Sequence, residues 1–99
     1  MIRGTTPTLS FELPFDVSEA TSLYITISQR YDNIQIDKSL EDCSVDGTIA
    51  TVSLTQEETL RLVPDKPVFI QVRVVKDGVA MASDMIKTTV KDVLKDGVI

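Results

Sequence analysis

Between Pro67 and Lys76 the chain reads Val68-Phe69-Ile70-Gln71-Val72-Arg73-Val74-Val75, with a β-branched residue at every even position. Residues two apart in an extended chain share a face, so this segment buries its apolar side only as a strand. A helix would scatter the same side chains around its circumference. The alternation recurs through most of the sequence. Leu9, Phe11 and Leu13 share one face of the run Thr8–Leu13. Leu23, Ile25 and Ile27 do so from Leu23 to Gln29, with Tyr24, Thr26 and Ser28 opposite. A shorter run, Ile34–Lys38, follows the turn-forming Tyr31-Asp32-Asn33. From Thr48 to Leu54 the residues Ala50, Val52 and Leu54 align, with Ile49 on the other side.

Turn residues punctuate these runs. Pro14 removes a ladder donor and predicts a strand end or edge, after which Val17 tucks inward from a polar connection. Asp46-Gly47 and Asp77-Gly78 are hairpin signals, because such pairs accept the positive φ that tight turns demand. The second predicts a return strand from Val79 towards Val90, with Ala80 and Ala82 in phase with Ile86, Thr88 and Val90. Thr55-Gln56-Glu57-Glu58 fits a capping box, in which each of the outer side chains bonds the other's backbone N–H. One helical turn fits there, with Leu60 and Leu62 packing beneath. Val63-Pro64-Asp65-Lys66-Pro67 then ends it, since two prolines so close suit neither a helix interior nor a central strand. Short strands joined by turns predict an all-β fold: an immunoglobulin-like antiparallel β-sandwich of six or seven strands, with at most one short helical turn. The 99 residues suit one domain, 1–99. With no Trp and a single Cys, the Cys…Trp…Cys hallmark of true immunoglobulin domains is absent.

Catalytic chemistry finds few residues to work with. The chain has no His, which removes the commonest general base and metal ligand and forbids Ser–His or Cys–His nucleophile pairs. Cys43 stands alone between Asp42 and Ser44, so no intrachain disulfide forms, and neighbouring carboxylates disfavour a reactive thiolate. The acidic residues from Asp32 to Asp46 do not follow the spacing of a calcium loop. The glycines stand singly and make no phosphate cradle. These features predict a chain that is not an enzyme, with no catalytic residue, no cofactor and no metal.

The formal charge of −5, with basic residues scattered, predicts that nucleic acid is not a partner. No stretch approaches the ~20 apolar residues of a membrane span, and no membrane partner is expected. The opening residues lack the apolar core of a secretory signal, which predicts synthesis in the cytoplasm.

The two ends stand out as candidates for contact. Residues 1–7 form a polar N-terminal arm. The last strand is expected to run past its hairpin partner through Lys91-Asp92-Val93-Leu94-Lys95, and residues 94–99 form a tail ending in Val98-Ile99. One reading is that the interleaved Lys and Asp protect a sheet edge from unwanted pairing. The other is that the tail docks on a neighbouring subunit. Ile2, Leu94, Val98 and Ile99 are then the candidate assembly contacts.

The opening Met1-Ile2-Arg3-Gly4-Thr5-Thr6-Pro7-Thr8, followed by Phe11-Glu12-Leu13-Pro14-Phe15-Asp16, resembles short proteins of bacteriophages and prophages of Gram-positive, often gut-dwelling, bacteria. Segments similar to Leu54–Leu60, Ile70–Arg73 and Leu94–Ile99 accompany it. A more distant likeness is to the immunoglobulin-like N-terminal domain of phage baseplate upper proteins, here without the stalk and receptor-binding head. The resemblance implies a structural or assembly protein of a tail, baseplate or other virion part, made in the bacterial cytoplasm and carried in the virion. Its implied partners are other virion or tail proteins, or further copies in a homo-oligomer. It transfers no site residues. The alternative is a carbohydrate- or surface-binding immunoglobulin-like module, for which the sequence offers only Tyr24 and Tyr31 as exposed-ring candidates.

Overall fold

The computed structural model covers residues 1–99. Its strands are β1 (Thr8–Glu12), β2 (Ser22–Gln29), β3 (Ile34–Ser39), β4 (Ser44–Asp46), β5 (Ile49–Ser53), β6 (Pro67–Lys76), β7 (Val79–Ala82) and β8 (Ile86–Thr89). One α-helical turn, α1 (Gln56–Leu60), lies between β5 and β6, and three single 3-10 turns fill other connections. All strand pairs are antiparallel. One sheet has the order β1-β5-β4; the other has β3-β2-β6, with β7 and β8 sharing the far side of β6. That is the immunoglobulin arrangement of B-E-D facing C′-C-F-G, without a full first strand.

The strand faces follow the alternation. Leu23, Ile25 and Ile27 from β2 meet Val68, Ile70, Val72 and Val74 from β6, and Ala50, Val52 and Leu54 come from the opposite sheet. All of these are buried, as are Val17, Leu62 and Val90. Leu9, Phe11 and Leu13 line the same interior but are half-buried, because β1 is an edge strand. Pro67 opens β6 rather than preceding it, at the one place in a central strand where a missing N–H is tolerated.

The structure has eight strands where six or seven were expected, and one reason is a bulge in the return strand. Ala82 pairs with Arg73 and Ile86 with Ile70, so Ser83, Asp84 and Met85 oppose only Gln71 and Val72. The extra residue reverses the facing of everything after it. Val79 and Met81 therefore share the inner face with Ile86, Thr88 and Val90, while Ala80 and Ala82 turn outward, contrary to the simple alternation. Ser83 mends the break: its Oγ accepts from the Val72 N–H at 3.0 Å, and its own N–H donates to the Val72 carbonyl at 2.8 Å.

The capping box at α1 forms as the sequence predicts. The Glu58 N–H donates to Thr55 Oγ1 at 3.1 Å, and the Thr55 N–H donates to Glu58 Oε1 at 2.9 Å. The same carboxylate pairs with Lys38 Nζ at 2.8 Å, which fastens the helical turn to β3. Burial works against ionising Glu58, but the bonds from Lys38 and Thr55 outweigh it and hold its pKa below the ordinary 4.5. A carboxylate whose pKa is depressed in the folded state stabilises the fold above the unfolded value. That contribution is lost as pH falls through the folded value. Urea midpoints are accordingly expected to be steady near neutrality and to fall as pH drops below 4.5. Glu58→Gln should flatten part of that acid decline. An identical acid limb in the variant would show that the Lys38 pair carries no stability.

Candidate interaction site

The sequence's candidate contacts lie on segments that converge at the α1 end of the sandwich. Instead of trailing as an arm, residues 1–3 lie beside the chain that follows β8. The Met1 amino group donates to the Thr89 carbonyl at 3.2 Å, Lys91 N–H to the Met1 carbonyl at 2.8 Å, and Arg3 N–H to the Lys91 carbonyl at 3.0 Å. Ile2 and Lys91 form a parallel bridge, the one parallel contact in the fold. The last strand therefore does not run on through Lys95 as expected: β8 stops at Thr89, and beyond Val90 the N-terminal segment takes the backbone bonds. Gly4 then turns the chain with φ +74°, a conformation in which any side chain would be strained, and packs against Leu60. The buried Thr59 hydroxyl donates to the Thr5 carbonyl at 2.8 Å and ties the segment to α1.

Arg3 holds this junction together. Its Nε donates to the Leu62 carbonyl and its Nη2 to the Leu60 carbonyl, each at 3.0 Å. These are carbonyls at the C-terminal end of the helical turn, where backbone acceptors lack helical partners. The other side of the guanidinium reaches Asp92 Oδ1 at 2.8 Å and Asp96 Oδ1 at 3.5 Å. The Val93 N–H and then Arg3 hold the Asp92 carboxyl below the usual range. One side chain thus joins the N-terminal segment, α1 and the tail. Sequence reading missed it, although Arg3 is the one charged side chain among the first seven residues.

From this anchored base the tail displays apolar side chains. Ile2 is 46% exposed, Val98 56%, Ile99 86% and Leu94 fully exposed. The Ile99 N–H donates to Gln56 Oε1 at 2.9 Å, which brings the tail back over the start of α1. None of the four belongs to the core.

Elsewhere, residues with chemical potential are engaged in structure. Burial pushes the Cys43 thiol up, and the Asp42 charge adds to the effect; its Sγ faces the Ser39 carbonyl at 3.4 Å. The sequence points to carboxylates as the cause, whereas desolvation is the larger one. Asp42 itself caps a 3-10 turn through Ser39. Asp37 sits on the outer face of β3 and accepts from Thr26 and Gln35. No three acidic or cysteine side chains gather as a metal-binding group.

The outer face of the larger sheet forms a shallow depression of about 400 Å³ bordered by Tyr24, Thr26, Gln35, Asp37 and Arg73. Tyr24 lies mid-strand in β2, while Tyr31 is in the turn beyond that strand's end. With five residues from Tyr24 to the end of β2, the rings are roughly 15 Å or more apart and cannot stack as one platform. No helix is long and apolar enough to cross a membrane. Comparison with protein-family models, curated proteins and solved structures finds no match.

Proposed function

We propose that this chain is a non-enzymatic structural or assembly protein of a bacteriophage or prophage particle, acting through protein–protein contacts at the α1 end of its sandwich. The observation that carries this reading is the set of exposed apolar side chains, Leu94, Val98 and Ile99, on a segment anchored by Arg3. Apolar side chains presented from a held backbone suit a surface that a partner covers. Holding the segment beforehand also lowers the ordering cost of association. The resemblance to phage and prophage proteins supplies the setting.

The test is to delete Leu94–Ile99 in the phage or prophage genome and examine purified particles by mass spectrometry. These residues contribute nothing to the core, so the shortened domain is expected to fold with near-normal stability. The full-length protein should be found in particles and the shortened one should be missing. Absence of the full-length protein from particles would refute the virion role. Normal incorporation of the shortened protein would refute the tail as its contact.

A further inference from the structure

We infer that the outer face of the β3-β2-β6-β7 sheet is a self-association surface whose occupant is the same face of a second copy of this chain. This rests on a different surface from the tail and does not depend on the phage reading.

Charge carries the inference. The molecule has a formal charge of −5, which makes copies repel on most of their surface. On this face, however, the strand register places only Asp37, Arg73 and Lys87 among charged residues, and Arg30 lies over the Phe69 ring at its border, so the face carries a positive excess. Arg73 is exposed and has no ion-pair or hydrogen-bonding partner within the chain. Asp37 is oriented by Thr26 Oγ1 at 2.6 Å and Gln35 Nε2 at 2.9 Å, yet no cation faces it. Both border the same depression.

The register shows why they cannot satisfy each other. Asp37 stands opposite Thr26, whereas Arg73 stands opposite Tyr24. They are thus diagonal across β2, two strand spacings and one two-residue step apart, or roughly 12 Å. A two-fold axis lying in the interface and crossing β2 between Tyr24 and Thr26 resolves the mismatch. When set at right angles to the line from Asp37 to Arg73, it brings each arginine over the other copy's aspartate. Such a contact is isologous and closes as a dimer. Tyr24, half-exposed beside the axis, supplies the large amphipathic side chain common at the centre of interfaces. Ala80 and Ala82, turned outward by their register with Val75 and Arg73, keep the border of the face low and uncharged.

The test uses charge reversal in the full chain, followed by sedimentation velocity over a concentration series. The wild type should form dimers, with weaker association at high salt. Arg73→Asp sets a carboxylate against the second copy's Asp37, and Asp37→Arg sets a guanidinium against its Arg73. Each should raise the dimer dissociation constant by roughly tenfold or more. The double variant, which exchanges the two charges, should recover most of the lost association. Circular dichroism confirms that these exposed substitutions leave the fold intact. A wild type that stays monomeric at the highest concentration overturns the inference, as does a double variant no better than the singles. Loss of the dimer on deleting Leu94–Ile99 would assign association to the tail and overturn it too.

Discussion

Val72→Asp is expected to leave the chain unfolded at 25 °C. Val72 sits near the middle of β6, only 3% exposed, paired with Ile25 on one side and hydrogen-bonded to Ser83 on the other. Its side chain points into the space between the sheets, where no cation is available to pair with a carboxylate. Removing an ion from water costs several kcal/mol even after the protein relaxes. A domain of this kind has about 5–15 kcal/mol in total. Protonating the new carboxyl lessens the penalty but still leaves polar atoms without partners. Loss of amide dispersion in a proton–nitrogen NMR spectrum is the expected result. A native spectrum with stability lowered by less than about 1 kcal/mol would mean that β6 does not face the interior as described.

Gln29→Leu is expected to be the second most damaging substitution. Gln29 is the last residue of β2 and is 1% exposed, in phase with Leu23, Ile25 and Ile27. Its amide brackets one distant residue: the Val63 N–H donates to Oε1 at 2.7 Å, and Nε2 donates to the Val63 carbonyl at 2.9 Å. Leucine fits the volume but abandons both backbone groups in the connection between α1 and β6. Leaving a buried donor or acceptor unpaired costs about 1–3 kcal/mol each, so a loss of about 2–6 kcal/mol follows. For a domain of this size that means a melting temperature lower by about 10 °C or more. Denaturant titration should show a reduced midpoint with an unchanged slope. A shift of under 1 °C would mean that water replaces the amide without penalty.

Gln29 also marks where sequence reasoning stops. The period of two correctly oriented Leu23, Ile25 and Ile27, because burial of one strand face depends only on that alternation. Gln29 continues that face in the structure, a step the sequence reading did not take for a polar residue, and hydropathy gives no hint that Val63, 34 positions later, needs its amide. Local chemistry was equally legible at Thr55 and Glu58, since a capping box is closed within four residues. The Asp77-Gly78 hairpin was legible for the same reason. Its return strand was not: one extra residue at Ser83 inverted the facing of Ala80 and Ala82 relative to Ile86, and a bulge leaves little trace in composition. At the candidate contacts, Ile2, Leu94, Val98 and Ile99 were visible as apolar residues in otherwise polar segments. Their support by Arg3 was hidden, because the carbonyls of Leu60 and Leu62 lie nearly 60 positions away. Contacts of that range depend on topology, and topology is set by the whole core.

The parallel run of residues 1–3 beside Thr89–Lys91 has a mechanical meaning. Tension that draws the two ends of the domain apart acts along this short pair, and parallel neighbours pulled from opposite ends slide past each other. The three backbone bonds joining them are then loaded together in shear, where a hairpin pulled from its open end would lose its bonds one by one. The Arg3 guanidinium must give way in the same event, since it spans the junction. A domain wired in this manner resists stretching at its seam while the sheets behind it remain unstressed.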